Sequence, residues 1–337
     1  MESFIPHPQN HPKAQRWHGV PAKCVPKINS SPSLIDNSPS QSPQKETDNP
    51  KLKKYSPWKH TIYTLAWRWF GGFVVSGPIW FILVGAFMVL DLQNLELNQI
   101  STSKALGVLS LIVILSSLSS LINLALFCRL LPRIKEGKYS VWSSHLIWIK
   151  LKERCIYYAN LILSGTLFWP YWLRMSGMKV GPDSEISTIM EVIPELTTLE
   201  GRCFFADGIY LGGPSFSITP NQELIYSVAP LSIRHSTFIG NHSVIPSGLV
   251  LPPNLLFGVC TVAHQSQTQS NTAWFGHPAF QLPRREKIKM DESFTHKPSL
   301  IRYINRLFWE TLRFILGIPL IIITCICLLY TSPSPRD

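Results

Sequence analysis

Residues 233–263 read IRHSTFIGNHSVIPSGLVLPPNLLFGVCTVA, and a large apolar side chain returns at every sixth position. The recurring residues are Ile233, Ile239, Ile245, Leu251 and Phe257, with Ala263 closing the series. This period fits neither the two-residue repeat of an ordinary strand nor the 3.6-residue repeat of a helix. It is typical of hexapeptide repeats, in which each hexapeptide makes a short strand and a corner, and three make one coil of a parallel β-helix.

Two further patterns extend this interpretation along the chain. A second series of small or apolar residues follows each large one by four positions: Thr237, Ser243, Leu249, Leu255 and Thr261. An earlier block repeats the rhythm with one slip: Val180, Ile186, Leu199, Phe205 and Leu211. The polar stretch 212–227 between the blocks is predicted to be a loop that extends outward from a corner of the β-helix. We therefore predict an all-β left-handed parallel β-helix over 179–285, its handedness inferred from the hexapeptide rule.

Long apolar segments predict transmembrane α-helices attached to this β-helix. No charged residue occurs over 69–90 or 105–128, and both stretches exceed the roughly 18 to 20 residues that a span needs. These stretches predict two transmembrane helices within 58–138, and the apolar run 314–330 predicts a third. The segment 139–178 mixes Trp and Tyr with Lys and Arg, which favours an interfacial or re-entrant segment.

The distribution of charge predicts the orientation in the membrane. The chain carries 31 Lys and Arg against 20 acids, a net charge of +11. Ten of these bases against four acids fall in 1–69, and seven against two fall in 129–154. By the positive-inside rule, the N-terminus and the β-helix domain are cytoplasmic. Such flanks account for the basic excess, and the sequence has no nucleic-acid recognition motif.

The remaining segments are assigned from composition. Residues 1–57 contain ten prolines, which predicts a disordered tail, and 286–313 reads as a basic linker or helix. The ending LLYTSPSPRD resembles a translated sequencing-adapter tail, so 331–337 is predicted to be non-native and the third span truncated. The seven cysteines lack metal-ligand spacing, so we predict reduced thiols and no metal site. Cys203 occupies a small-residue position of the coil and is expected to pack in its core.

Several motifs resemble one family in order along the chain. They are EGKYSVWSSHLIW from Glu136, SGTLFWPYWLRMSGMKVG (164–181), FFADG (204–208), FIGNHSVIPSG (238–248) and WFGHPAFQLPRRE (274–286). Together they resemble the membrane-embedded C-terminal region of nonribosomal peptide synthetases of the ε-poly-lysine synthetase type, over about 130–300 and the flanking spans. The resemblance also implies the left-handed form of the β-helix.

This resemblance implies a membrane-anchored module for acyl or aminoacyl transfer from a thioester donor, either acyl-CoA or a phosphopantetheine-carrier thioester. The implied partners are the lipid bilayer, a carrier protein or synthetase module, and a homo-oligomer or a paired β-helix copy. The alternative is a non-catalytic β-helix scaffold that pairs with a catalytic module at the membrane. A transport module is a further alternative, but neither uncharged stretch contains the ionisable residue that transport sites place there.

Acyl transfer needs a general base near the attacking group. His235 and His242, which follow inward residues by two and three positions, are the candidate catalytic histidines, and His264 is a further histidine of the repeat. Asp207, two positions after inward Phe205, is the candidate acid that orients a base or binds an amine. The alternatives are that these histidines are solvated surface residues and that Asp207 caps its own turn.

Cofactor binding is assigned only through the resemblance. Trp274, Arg284 and Arg285 match the family's tryptophan and LPRR element, and they imply a site for a pantetheine phosphate. The alternative is a strap that packs against the end of the β-helix or contacts lipid headgroups.

Overall fold

The computed structural model describes residues 16–18, 23–25, 56–92, 102–219, 223–265, 269–283, 291–294 and 297–331. The predicted disordered tail therefore lies almost wholly outside the described residues, apart from the antiparallel pair β1 (Arg16–His18) and β2 (Lys23–Val25). Arg284, Arg285 and the segment 332–337 also lie outside them. The predictions for these parts stay predictions.

Three long helices carry the predicted spans. They are α1 (Pro57–Leu92), α2 (Thr102–Leu130) and, at the other end of the chain, a helix over Leu300–Thr331. Within the described part of the chain one helical segment, Ser110–Leu130, is apolar and long enough to cross a membrane by length and composition. Its mean hydropathy is 2.3. The last helix runs unbroken through Phe314, so the predicted boundary between linker and third span is not an element boundary.

The aromatic segment after the short strand β3 (Gly137–Ser140) forms two helices, α3 (Ser144–Leu163) and α4 (Phe168–Met175). Their inner face is buried, and Trp169 is 0% exposed. The outer face keeps Tyr157 and Leu161 exposed. The inner face packs against the first coil of the β-rich domain, so the apolar content of this segment serves protein packing as well as any membrane surface.

The β-rich domain consists of three sheets of very short parallel strands. The first sheet contains β4 (Lys179–Val180), β7 (Thr197–Leu199), β12 (Leu231–Ile233) and β15 (Val250–Leu251). The second contains β5 (Glu185–Ile186), β8 (Phe204–Phe205), β13 (Phe238–Ile239), β16 (Leu256–Phe257) and β17 (Ala273–Phe275). The third contains β6 (Ile189–Met190), β9 (Ile209–Leu211) and β14 (Val244–Ile245). The chain visits the sheets in turn, as the coils of a three-faced parallel β-helix do.

The six-residue series marks the interior of these coils. Ile233, Ile239, Ile245, Leu251, Phe257 and Ala263 are all at most 1% exposed. In the second sheet Ile186, Phe205, Ile239 and Phe257 are successive Cα partners, so each coil stacks its inward residue on the equivalent residue of the next. The secondary series is buried as well, with Leu249 the most exposed member at 7%. The predicted periodicity is confirmed.

The corners have a repeating backbone conformation. Ser236, His242, Gly248, Asn254 and Cys260 all have positive φ and lie six residues apart. A left-handed residue at each corner turns the chain from one sheet into the next. Ser and Cys are unusual in this conformation, so these corners must be held by the stacked coils rather than by local preference.

The stretch 212–227 differs from its prediction as a loop. It forms a hairpin of β10 (Ser215–Ile218) and β11 (Leu224–Val228), and β11 also pairs antiparallel with β3. Tyr226 is 0% exposed, and its hydroxyl shares a hydrogen bond of 3.2 Å with Ser143 Oγ. The hairpin ties the second and third coils to the segment before α3.

A buried ion pair fixes α3 to the 3₁₀ turn at Pro194–Leu196. Lys152 Nζ lies 2.5 Å from Glu195 Oε1, which also accepts the Ile134 N–H at 2.6 Å. The Lys152 side chain is 4% exposed, so removing Glu195 would leave a buried ammonium group without its ion-pair partner. At the far end of the coils, β17 pairs antiparallel with β18 (Phe280–Gln281), and the last helix is α5 (Leu300–Thr331).

Candidate functional site

The corner between the second and third sheets gathers most of the polar candidates. Thr188, Asp207, Asn241 and Val259 each follow the inward residue of their coil by two positions, and therefore form one column across four coils. Asp207 and Asn241 are exposed at this column. The Asp207 N–H donates to Asn241 Oδ1 at 3.1 Å, so the two coils are joined here by a side chain as well as by the ladder.

Asp207 is held by hydroxyl donors from the first coil. Its Oδ1 accepts hydrogen bonds from Ser187 Oγ and, at 2.8 Å, from Thr188 Oγ1. These bonds, with Ser187 the strongest contributor, hold the pKa of the Asp207 carboxyl below its ordinary value. The side chain is therefore a fixed carboxylate at neutral pH, and its orientation is set by two neighbours.

His242 occupies the left-handed position of the same corner, with φ of +55°. Its N–H donates to the Asp207 carbonyl oxygen at 2.8 Å. Its imidazole lies directly against Gly208, because a Cβ at that glycine would stand 2.4 Å from His242 Nδ1. The corner therefore brings together two of the three predicted catalytic residues, Asp207 and His242, and only a glycine at 208 leaves room for the ring.

A cleft of about 460 Å³ opens beside this corner along the outer face of the second sheet. Phe204 and Phe238 form its apolar wall, with their rings stacked 5.0 Å apart and 4° from parallel. They are 37% and 38% exposed, so this wall is open to solvent. The other lining residues include Asp207, Asn241, Ser187 and Val259. His242 does not line the cleft, and its ring lies against Gly208.

Helix α5 borders one end of the cleft. Arg306 Nη2 lies 3.0 Å from Glu185 Oε1, and Glu185 is a lining residue. The same guanidinium lies 2.8 Å from Glu310 Oε1 through Nε. Glu310 in turn accepts the Leu167 N–H at 2.8 Å. The start of α5 is thus fixed to the loop before α4 and to the first coil.

His235, the third predicted catalytic residue, lies at a different corner. Its Nδ1 is 3.2 Å from Glu200 Oε2, which also accepts the His235 N–H at 3.0 Å. That backbone donor is the main reason that the pKa of Glu200 is lowered. The structure does not bring His235 to Asp207 or to the cleft.

Trp274 lies at the end of the stack rather than at the corner. It is the Cα partner of Phe257, and its indole N–H donates to Thr272 Oγ1 at 2.9 Å. It packs on the coil interior as a partly buried residue. Its predicted role at a pantetheine phosphate stays a prediction, as does that of Arg284 and Arg285.

The position of Cys203 yields a direct test of the corner geometry. Cys203 is 1% exposed, and burial raises the pKa of its thiol to about 11. Cys260, at the left-handed position of another corner, is partly exposed. At about pH 8 we expect iodoacetamide to alkylate Cys260 and to leave Cys203 unmodified, because the thiolate is the reactive form.

Peptide mapping by mass spectrometry measures both sites in one sample. Denatured protein, in which both thiols should react, is the control. Equal rates of alkylation at Cys203 and Cys260 in the native protein would contradict the burial of Cys203.

Sequence reasoning did not identify Asn241, the Phe204–Phe238 stack or the two hydroxyls on Asp207. The sequence contains a pattern that relates two of these residues, because Asn241 and Asp207 both follow an inward residue by two positions. The 34-residue offset between Phe205 and Ile239 concealed their adjacency. Only the pairing of the coils places the two residues side by side.

No family model matches this chain. It is 28% identical over 326 residues to the Delta-poly-L-ornithine synthetase of Acinetobacter baumannii (strain AB307-0294), an alignment covering 90% of this chain. The chain spans 22% of the length of that relative. The sequence is therefore distantly related to a synthetase, while the assignment to the membrane region of nonribosomal peptide synthetases stays a prediction.

Three solved structures with some likeness to this chain are acetyltransferases. The maltose O-acetyltransferase of Clostridium difficile 630 is 14% identical with a TM-score of 0.32, covering 49% of this chain and 97% of that one. A galactoside acetyltransferase in complex with coenzyme A is 12% identical with a TM-score of 0.33, covering 47% and 88%. A hexapeptide-repeat-containing acetyltransferase from Vibrio cholerae is 16% identical with a TM-score of 0.27, covering 41% and 93%.

Proposed function

We propose that this chain is a membrane-anchored module that transfers an acyl or aminoacyl group from a thioester donor to an amine or hydroxyl. The observation that carries the proposal is an aromatic-walled cleft lined by Asp207, with the His242 imidazole packed on the neighbouring Gly208. The sequence similarity to a Delta-poly-L-ornithine synthetase supports it, because the product in that name is a polymer of an amino acid.

The reaction requires one proton to be transferred from the attacking amine to the departing sulfur. With an amine acceptor, the nitrogen forms a bond to the thioester carbonyl carbon, the C–S bond breaks, and the proton lost by nitrogen ends on the departing sulfur. A carboxylate near the attacking nitrogen orients its N–H and stabilises its developing positive charge. A nearby imidazole accepts the proton and returns it to sulfur.

The corner divides these tasks between its residues. Asp207 lines the cleft and is held ionised, so it is suited to orient the amine rather than to accept its proton. His242 is the candidate base, and it acts once its ring turns from Gly208 toward the cleft. The wall formed by Phe204 and Phe238 suits the apolar parts of a pantetheine arm, from either acyl-CoA or a carrier protein.

The membrane attachment in this proposal is carried by the helices around the coils. The segment Ser110–Leu130 supports it by length and composition. Arg129 at the end of α2 and the basic residues that follow favour a cytoplasmic position for that end. The β-helix then faces the cytoplasm, where thioester donors are available.

Replacing each histidine separately tests the corner assignment. We expect His242→Ala to lower kcat about 10²-fold, the lower end of general-base effects, because water reaches this exposed corner. We expect His235→Ala to have little effect, since His235 contacts Glu200 at another corner. The measurement is thiol release from aminoacyl-pantetheine thioesters with amine acceptors, on the full chain in nanodiscs. Greater dependence on His235 than on His242 would overturn the assignment.

One observation favours a second candidate function, the non-catalytic scaffold. The His242 ring packs on Gly208 and does not line the cleft, as a purely structural corner residue would. A scaffold would show no thiol release with any variant, and would instead raise the activity of a separate catalytic β-helix added to the same nanodiscs. Activity of the chain alone excludes this candidate.

A further inference from the structure

The side-chain amide of Asn241 has a defined direction. Its oxygen faces the Asp207 N–H at 3.1 Å, and a backbone N–H can only donate. The nitrogen Nδ2 must therefore point away from Asp207. Within the described part of the chain Nδ2 has no hydrogen-bond acceptor, and Asn241 lines the cleft. The corner thus holds two N–H groups of one amide ready to donate beside the aromatic wall.

The donor stands next to a carboxylate. Asp207 and Asn241 occupy equivalent positions on adjacent coils, and both line the same cleft. An acceptor and a donor side by side match the two partners of an acyl transfer, in which the nucleophile gains positive charge while the carbonyl oxygen gains negative charge. The Asp207 carboxylate is suited to contact the nucleophile, and the Asn241 amide is suited to contact the carbonyl oxygen.

We propose that Asn241 donates a hydrogen bond from Nδ2 to the carbonyl oxygen of the thioester and stabilises the oxyanion that forms when the nucleophile attacks. The inference rests on the proposed function and assigns a catalytic residue to that same cleft. The hydrogen bond to Asp207 fixes the amide before the substrate arrives, so the donor needs no reorganisation during the reaction.

Two substitutions separate this role from a structural one. Asn241→Asp keeps an oxygen for the Asp207 N–H but removes the donor, whereas Asn241→Ala removes both. We expect both variants to lower kcat by about 10²-fold or more, the usual cost of losing one oxyanion donor. If Asn241 only supports Asp207, Asn241→Asp keeps full activity, and that result overturns the proposal. Asn305→Asp on α5, whose oxygen accepts the Trp309 indole N–H at 3.1 Å, is the matched control.

A binding measurement guards against the effect of the added charge. Two unreactive donor analogues are compared by calorimetry: a ketone, with CH₂ in place of sulfur, and a thioether that lacks the carbonyl oxygen. We expect the wild-type chain to bind the ketone more tightly and Asn241→Ala to bind both equally. The ratio of the two affinities in each protein reports the donor without any turnover.

The outcomes distinguish the two proposals. If the wild-type chain binds both analogues with equal affinity, Asn241 is not the carbonyl donor and the transferase function stands. If the wild-type chain binds neither analogue and releases no thiol, the proposed function fails and this inference fails with it.

Discussion

Ile239→Asp should unfold the β-helix. Ile239 is 0% exposed and lies between Phe205 and Phe257 in the stack of inward residues. Losing its side chain from a packed interior costs roughly 2–5 kcal/mol. A carboxylate placed there adds several kcal/mol unless it is protonated. The sum is comparable to the roughly 5–15 kcal/mol that stabilises a whole domain.

The measurement is amide hydrogen exchange over residues 230–260, whose backbone hydrogen bonds form the ladders between coils. We expect protection there to be lost in Ile239→Asp. Val250→Asp is the matched control, because Val250 is 63% exposed on the outer face of the first sheet and the chemical change is similar. Retained protection in Ile239→Asp would show that position 239 is not in the interior of a coil.

The interior could be predicted from sequence because stacking imposes its own period. Each inward residue meets an equivalent residue one coil away, so an unsuitable side chain at any sixth position would leave a void or a buried polar group. That constraint is visible along one chain without any knowledge of the pairing. It identified Ile233 through Ala263, and in the earlier block it survived a one-residue slip.

The hairpin could not be predicted in the same way. Its partner β3 ends at Ser140, more than 70 residues before β10 begins, and nothing local to 212–227 indicates that pairing. Tyr226 looked like an aromatic residue in a polar stretch, yet it is fully buried against β3 and Ser143. Long-range pairing of short strands leaves only a weak local pattern.

The candidate site was predicted in part for a related reason. Spacing from the inward residues correctly placed His242 and Asp207 at corners. It could not show which corners of neighbouring coils stack on one another. The pairing of Phe205 with Ile239 settles that question and separates His235 from the other two. The same pairing reveals Asn241, whose importance depends on a hydrogen bond from the preceding coil.

Asp207→Asn should lower kcat about 10³-fold while leaving the fold intact. An amide at 207 still offers an oxygen to Ser187 and Thr188, so the corner keeps its hydrogen bonds. It loses the negative charge that orients the attacking amine, and the step loses electrostatic stabilisation. Thiol release by the full chain in nanodiscs measures the effect. Asp183→Asn, an exposed aspartate in the left-handed region at another corner, is the matched control.

The pH dependence gives this prediction a second readout. Because the pKa of Asp207 is lowered in the folded chain, its ionised form contributes stability at neutral pH and loses it only as the pH falls through the folded value. The free energy of unfolding should therefore decline as the pH falls toward the folded pKa of Asp207. Asp207→Asn should remove that acid-dependent part of the stability, which chemical denaturation at several pH values measures. An Asp207→Asn variant with wild-type kcat would assign Asp207 to the turn alone.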